Sequence, residues 1–149
     1  MKIAIATDHN GVNEKKTLIE SLKEYEFLDK STDNTPIDDY PDFAFRVAKS
    51  VINKEADFGV LMCGTGIGMS IAANKVKGIR CAHCSNLEQS HLAREHNDAN
   101  IIALSYKQDI NELIDMIKEF INTPHSEDER HHRRVNKIIN IENGTYNEL

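Results

Sequence analysis

The chain has 149 residues, 40% hydrophobic and 28% charged, with a net charge of −6. That is the size of one ordinary globular domain with enough apolar material for a two-sided core, and its acidic balance excludes general binding to nucleic acid or anionic membranes while leaving room for a local arginine cluster. No run is long and apolar enough to cross a bilayer, the N-terminus leads straight into a strand pattern, and three cysteines suit reduced thiols better than a disulfide framework, so a single-domain cytoplasmic protein is predicted.

Residues 2–7 (KIAIAT) predict a strand, followed by the polar turn Asp8-His9-Asn10-Gly11 and a helix over 12–26 with Leu18, Ile19 and Leu22 at helical spacing. Residues 27–31 are a weaker strand candidate, and a loop of Ser, Thr, Asp, Asn and Pro then runs to Asp39-Tyr40-Pro41. A helix resumes at Pro41 or Asp42, with Phe45, Ala48 and Ile52 as its buried stripe and the proline in the first turn, where its missing N–H does little harm. Residues 58–62 predict a buried strand that leads through Cys63 and the turn Gly64-Thr65-Gly66-Ile67-Gly68 into a helix opening at Met69 or Ser70. After Gly78 come a strand over 79–83, a helix over 86–95, a strand over 100–105, and an amphipathic helix over 110–121 carrying Leu113, Ile114, Ile117, Phe120 and Ile121 on one side. A charged last helix from about residue 126 carries Ile138, Ile139 and Ile141, and a polar tail covers 143–149. Such alternation implies an α/β fold with parallel strands, right-handed crossovers and helices on both faces. Ligands then gather at the carboxyl ends of the strands, where Asp8, His9, Cys63 and the glycine turn fall.

The stretch 58–75, FGVLMCGTGIGMSIAANK, organises the rest. Its glycines permit positive φ and close approach of a ligand, and free N–H groups in such a turn can face a negatively charged oxygen. It is not a dinucleotide fingerprint, because Met69 or Ile71 stands where the third glycine belongs, nor a P-loop, because Thr65 stands where the lysine belongs. It reads either as an anion site or as an ordinary strand-to-helix turn. Cys63 beside it reads either as a base or nucleophile, since a thiol of ordinary pKa about 8.5 ionises more easily beside anion-binding N–H groups, or as a small core residue. Cys81 and Cys84 form a C-x-x-C, but residues three apart on a strand point to opposite faces, so packing explains them better than redox chemistry or zinc.

Of the histidines, His9 and His96 sit in turns where a proton carrier would be useful, although a solvated or structural role fits each equally. His83 and His91 read as strand and helix-surface residues. His125, His131 and His132 read as solvent-exposed, because sequence neighbours on a helix do not share a face, and no metal site is expected. Arg130 and Arg134, four apart, share a helix face as either a solvated charge run or a phosphate grip.

Together the segments IATDHNG (5–11), DYP (39–41), LMCGTGIGMSIAANK (61–75), GIR (78–80), LAREHNDANI (92–101) and RHHRRV (130–135) resemble the ribose-5-phosphate isomerase B family, which includes the galactose-6-phosphate isomerase subunits. The resemblance implies a Rossmann-like three-layer α/β/α sandwich with a five-stranded parallel sheet, in a homodimer or homotetramer whose active sites lie across the dimer interface. It implies interconversion of ribose 5-phosphate and ribulose 5-phosphate through an enediolate, without cofactor or metal. Cys63 would be the base, His96 would help open the ring, and Thr65 with Gly64, Gly66, Ile67 and Gly68 would hold the enediolate oxygens. Asp8, Tyr40 and Asn97 would orient sugar hydroxyls, and His9, Arg130 and Arg134 would bind phosphate.

Two segments depart from the family pattern. Ser105-Tyr106-Lys107 replaces a glycine and a following arginine, and the loop over 32–38 is unlike its counterpart, so no contact from it is carried over. A 6-phosphohexose such as galactose or allose 6-phosphate is the rival substrate. A non-catalytic sugar-phosphate-binding subunit is the rival role, weakened by the joint presence of Cys63, Thr65 and His96.

Overall fold

The computed structural model describes residues 1–148; Leu149, the end of the expected polar tail, lies outside the described residues. Among these, five strands form one parallel sheet in the order β2-β1-β3-β5-β4, built from β1 (Lys2–Thr7), β2 (Glu26–Asp29), β3 (Phe58–Cys63), β4 (Cys81–His83) and β5 (Ile101–Ser105). The sequence explains the order. In β1, β3 and β5 nearly every residue is buried, as expected of central parallel strands covered on both faces, whereas β2 and β4 are short, partly exposed and lie at the edges.

Alternating residues of each strand feed two cores. One is bulky, with Ile3, Ile5, Val60, Met62, Ile102 and Leu104 under α1 (Val12–Ser21), α4 (Leu87–Asn97) and α5 (Ile110–Asn122). The other is thin, with Ala4, Ala6, Leu61 and Ala103 under α2 (Tyr40–Ile52) and α3 (Ile67–Ala73). On this second face the chain leaves no spare room: a Cβ on Gly59 would stand 2.6 Å from Val47. The last helix, α6 (Glu129–Asn143), is seated on α4 by Ser126 N–H donating to the Glu95 carbonyl. None of the described helices is long and apolar enough to cross a membrane.

Several boundaries move. The first helix ends at Ser21 rather than Glu26, because Glu26–Asp29 pairs with Lys2–Ile5 as the sheet edge, a tertiary gain that overrides local helix preference. The buried stripe of α2 is Phe43, Ala44, Val47 and Ala48. Ala48 was expected there, but Phe45 is 56% exposed and Ile52 also faces outward. The thin core takes the side of the helix that carries Ala44 and Ala48 with Phe43 and Val47, and Phe45 and Ile52 lie on the side turned away from it. With Ile67 and Ile71 of α3, 51% and 59% exposed, they form an uncovered apolar face. The third helix opens at Ile67, so Ile67 and Gly68 belong to its first turn. Likewise α6 begins at Glu129, capped by Asp128, rather than near 126.

Candidate active site

The connections from β1 and β3 leave in opposite directions across the sheet, which opens a crevice between the carboxyl ends of these two strands. On the β1 side, Asp8 Oδ1 accepts from the Asn10 N–H at 3.0 Å and fixes the turn. The His9 ring is held by its Nδ1, 2.9 Å from Asp38 Oδ1, which leaves Nε2 for a ligand. Asp38 is in turn held by Asn34 Nδ2 at 2.9 Å and Thr35 N–H at 3.1 Å, and the same Asn34 amide donates to the Thr7 carbonyl. Burial alone would raise the Asp38 carboxyl, but hydrogen bonds from Asn34, His9 and the N–H groups of Thr35 and His9 outweigh it and hold it below the ordinary carboxylate value. The divergent loop over 32–38 is therefore the scaffold of His9, a role that sequence reading left blank.

On the β3 side, Cys63 is buried and its Sγ accepts from the Gly66 N–H at 3.1 Å. That bond requires the left-handed turn at Gly66, where φ is 83° and a Cβ would meet the His83 ring at 2.9 Å. His83 Nε2 lies 2.8 Å from the Thr65 carbonyl and so braces the turn from β4, which its reading as a plain strand residue did not foresee. Ser105 Oγ donates to the Gly64 carbonyl at 2.8 Å, bracing it from β5. The Thr65 hydroxyl accepts from the Ile67 N–H at 3.1 Å, and the Tyr40 ring lies so close to Gly68 that a Cβ there would stand 2.6 Å from it. A Cβ on Gly64 would be 3.6 Å from the Tyr106 hydroxyl and 4.0 Å from Lys107 Nζ, so both residues stand over the turn. Applying the carboxyl-end rule to β5 as well as to β1 and β3 is the signal that would have found them.

The remaining predicted residues lie elsewhere in the chain. His96 and Asn97 are not in a loop; they close α4, and the Asn97 carbonyl accepts from Arg80 Nε at 3.1 Å, just before β4 begins. This is the amino end of the sheet, one strand length, roughly 16 Å, from Cys63. Arg130 and Arg134 are exposed on α6 at the same end; Arg130 pairs with Asp128 at 3.2 Å, and Arg134 makes no ion pair among the described residues. The His96 ring is stacked on His131 with centroids 4.1 Å apart. Expected in solvent, His131 is instead buried because the first turn of α6 packs back on α4; burial first and His96 second push its pKa down. His125 is also largely covered, stacked 4.3 Å from the exposed His132. The protein thus gathers Asp8, His9, Tyr40, Cys63, Thr65 and the glycine turn at one end of its sheet, and His96, Asn97, Arg130 and Arg134 at the other.

The other two thiols take no part. Cys81 faces the thin core and Cys84 the bulky one, on opposite sides of the sheet as their spacing predicts. Burial pushes their pKa values up to about 12 and about 11, which keeps them protonated.

Residues 3–138 match the model of the Ribose/Galactose Isomerase family. The putative sugar phosphate isomerase YwlF of Bacillus subtilis (strain 168) is 45% identical over 146 residues, covering 95% of this chain and 97% of that protein. Among solved structures, ribose-5-phosphate isomerase B of Clostridium thermocellum superposes with a TM-score of 0.91 at 43% identity, covering 97% of this chain and 99% of that one. The Mycoplasma genitalium ribose-5-phosphate isomerase B with bound ribulose 5-phosphate gives a TM-score of 0.88 at 40% identity, covering 95% of this chain and 96% of that one. By family model, identity over nearly its whole length and fold, this chain belongs to the ribose/galactose isomerase family.

Proposed function

We propose that this chain is an aldose-ketose isomerase interconverting D-ribose 5-phosphate and D-ribulose 5-phosphate, with one isomerase domain spanning the sequence. The observation that carries this reading is the buried Cys63 thiol at the head of β3, held by the Gly66 N–H inside a braced glycine turn that opens on a ligand crevice. Cys63 takes the C2 proton of the open-chain aldose, and the electron pair moves into a C1–C2 double bond. Negative charge builds on the former carbonyl oxygen, where Thr65 and the amides of the turn stabilise it. Such donors are already aligned before the reaction, so no reorganisation is needed as charge develops. The C2 hydroxyl proton passes to the C1 oxygen, and as the C2 carbonyl forms the C1–C2 electron pair takes the proton back from Cys63 at C1, which gives the ketose. Asp8 and Tyr40 orient hydroxyls, and His9 Nε2 faces the phosphate.

The remaining roles belong to residues at the far end of the sheet: ring opening by His96, hydroxyl binding by Asn97 and phosphate binding by Arg130 and Arg134. Since no single copy brings them to its own Cys63, the reading requires a site shared by two copies. The uncovered apolar face of Phe45, Ile52, Ile67 and Ile71, beside the glycine turn, supports a homodimer, because contiguous exposed apolar surface of this kind marks protein contacts. A cytoplasmic location fits three buried, unpaired thiols.

Isomerisation of ribose 5-phosphate by the purified protein, with Cys63→Ala as control, tests the reaction. The parent should be active, and the variant should lose roughly 10²–10⁴-fold in kcat while still binding substrate. A variant as fast as the parent would remove Cys63 as base. Turnover only of allose or galactose 6-phosphate would move the protein to the hexose branch, and inactivity of the parent on all three would favour a binding subunit.

A further inference from the structure

Tyr106 follows β5 directly, and its backbone N–H donates to the Cys63 carbonyl at 3.2 Å, which anchors it at the head of the neighbouring strand. From there the ring lies between the turns that follow β1 and β3, its Cδ2 edge at the first and its hydroxyl at the second. A Cβ on Gly11 would stand 2.9 Å from its Cδ2, and one on Gly64 3.6 Å from its hydroxyl, so the ring spans between glycines on the two sides of the β1–β3 crevice. Burial first and the Asp8 charge second push its pKa above the ordinary value, so the phenol stays neutral.

Under the isomerase reading, a substrate reacts at Cys63 on β3 and carries its phosphate to His9 on β1. Its carbon chain must therefore run along the crevice that Tyr106 crosses. Ribose 5-phosphate and allose 6-phosphate share the reacting carbons and the phosphate, and differ by one CHOH between them. A half-buried aromatic ring cannot yield to that extra carbon as a flexible side chain would.

We propose that the Tyr106 ring sets the length of the sugar pocket and makes it selective for five-carbon over six-carbon aldose phosphates, an inference that rests on the isomerase reading above. One carbon more or less in a fitted pocket is worth about 10–200-fold in discrimination. The test is kcat/KM for ribose 5-phosphate and allose 6-phosphate in the parent, Tyr106→Phe and Tyr106→Ala, with Tyr106→Leu as a second truncation should the alanine variant not fold. Truncation should raise the hexose-to-pentose ratio at least about tenfold, and Tyr106→Phe, which keeps the ring, should hold the parent's ratio. A purely structural role would lower both substrates together and leave the ratio unchanged, which would overturn the proposal. Equal shifts in the Phe and Ala variants would also overturn it, by assigning the effect to the hydroxyl. A parent inactive on both sugars would instead remove the isomerase reading on which the proposal stands.

Discussion

The two ends of the sheet carry the two groups of residues that the proposed function joins in one site, and they are built differently. At the carboxyl end, Cys63 and the turn are held by strand ends and braced by Ser105 from the neighbouring β5 and by His83 from β4 beyond it. Backbone donors in such a setting carry no side-chain entropy to lose on binding. At the amino end, the proposed groups are side chains on helix surfaces: His96 rests against His131, and Arg130 and Arg134 are exposed. Rigid backbone suits the place where charge develops in the transition state, whereas long cationic arms suit capture of an anion present throughout the reaction. The contrast says which half should govern kcat and which should govern KM.

The strongest way to break the comparison is to mix two dead variants. Cys63→Ala and His96→Asn should each lose activity, the first by roughly 10²–10⁴-fold. Co-refolded in equal amounts, they should recover about a quarter of the parent's activity, because half the dimers are mixed and each mixed dimer rebuilds one of two shared sites. If each chain holds a complete site, mixing restores nothing. Next in size is Arg134→Ala, expected to raise KM roughly tenfold or more with kcat little changed, since a charge-assisted phosphate contact serves ground and transition states alike. An unaltered KM would return α6 to a solvated charge run.

A smaller effect sharpens the carboxyl-end half. The Asp38 carboxylate is favoured by folding, so its contribution is complete above the unfolded value of about 3.9 and is lost as pH falls through the lower folded value. Asp38→Asn should therefore lower Tm by about 2–4 °C at pH 7, with the difference vanishing in strong acid. A deficit that persists there would point to lost packing. Smallest of all is the response of the structural thiols. With pKa values of about 12 and about 11, Cys81 and Cys84 should remain unmodified by iodoacetamide at pH 8 in the folded protein, as peptide mass spectrometry would read. Modification at either would mean that the edge strand β4 opens.

Much of this was legible in the residues. KIAIAT, FGVLM and IIALS are continuous apolar runs, and only the centre of a sheet covered on both faces buries such runs completely. The tight turn after Cys63 was marked by its glycines, because a left-handed residue with no room for a Cβ leaves a glycine in the sequence. The stripe of α2 differs for a reason that no periodicity contains: Phe45, Ala48 and Ile52 have helical spacing, but so do Phe43, Ala44, Val47 and Ala48, and only the seating of the helix on β1 and β3 decides that the second set is buried.

What the sequence by itself determined is the order of strands and helices and the family, since these follow from local pattern and from motifs spread along the chain. Only the tertiary structure decided that the groups divide between opposite ends of the sheet, that Asp38 carries His9, that His131 lies under His96 and that Tyr106 crosses the crevice. Each of these joins residues far apart in the chain. The physical reason is that proximity between distant segments is set by how sheet and helices pack, and no short window of sequence records it.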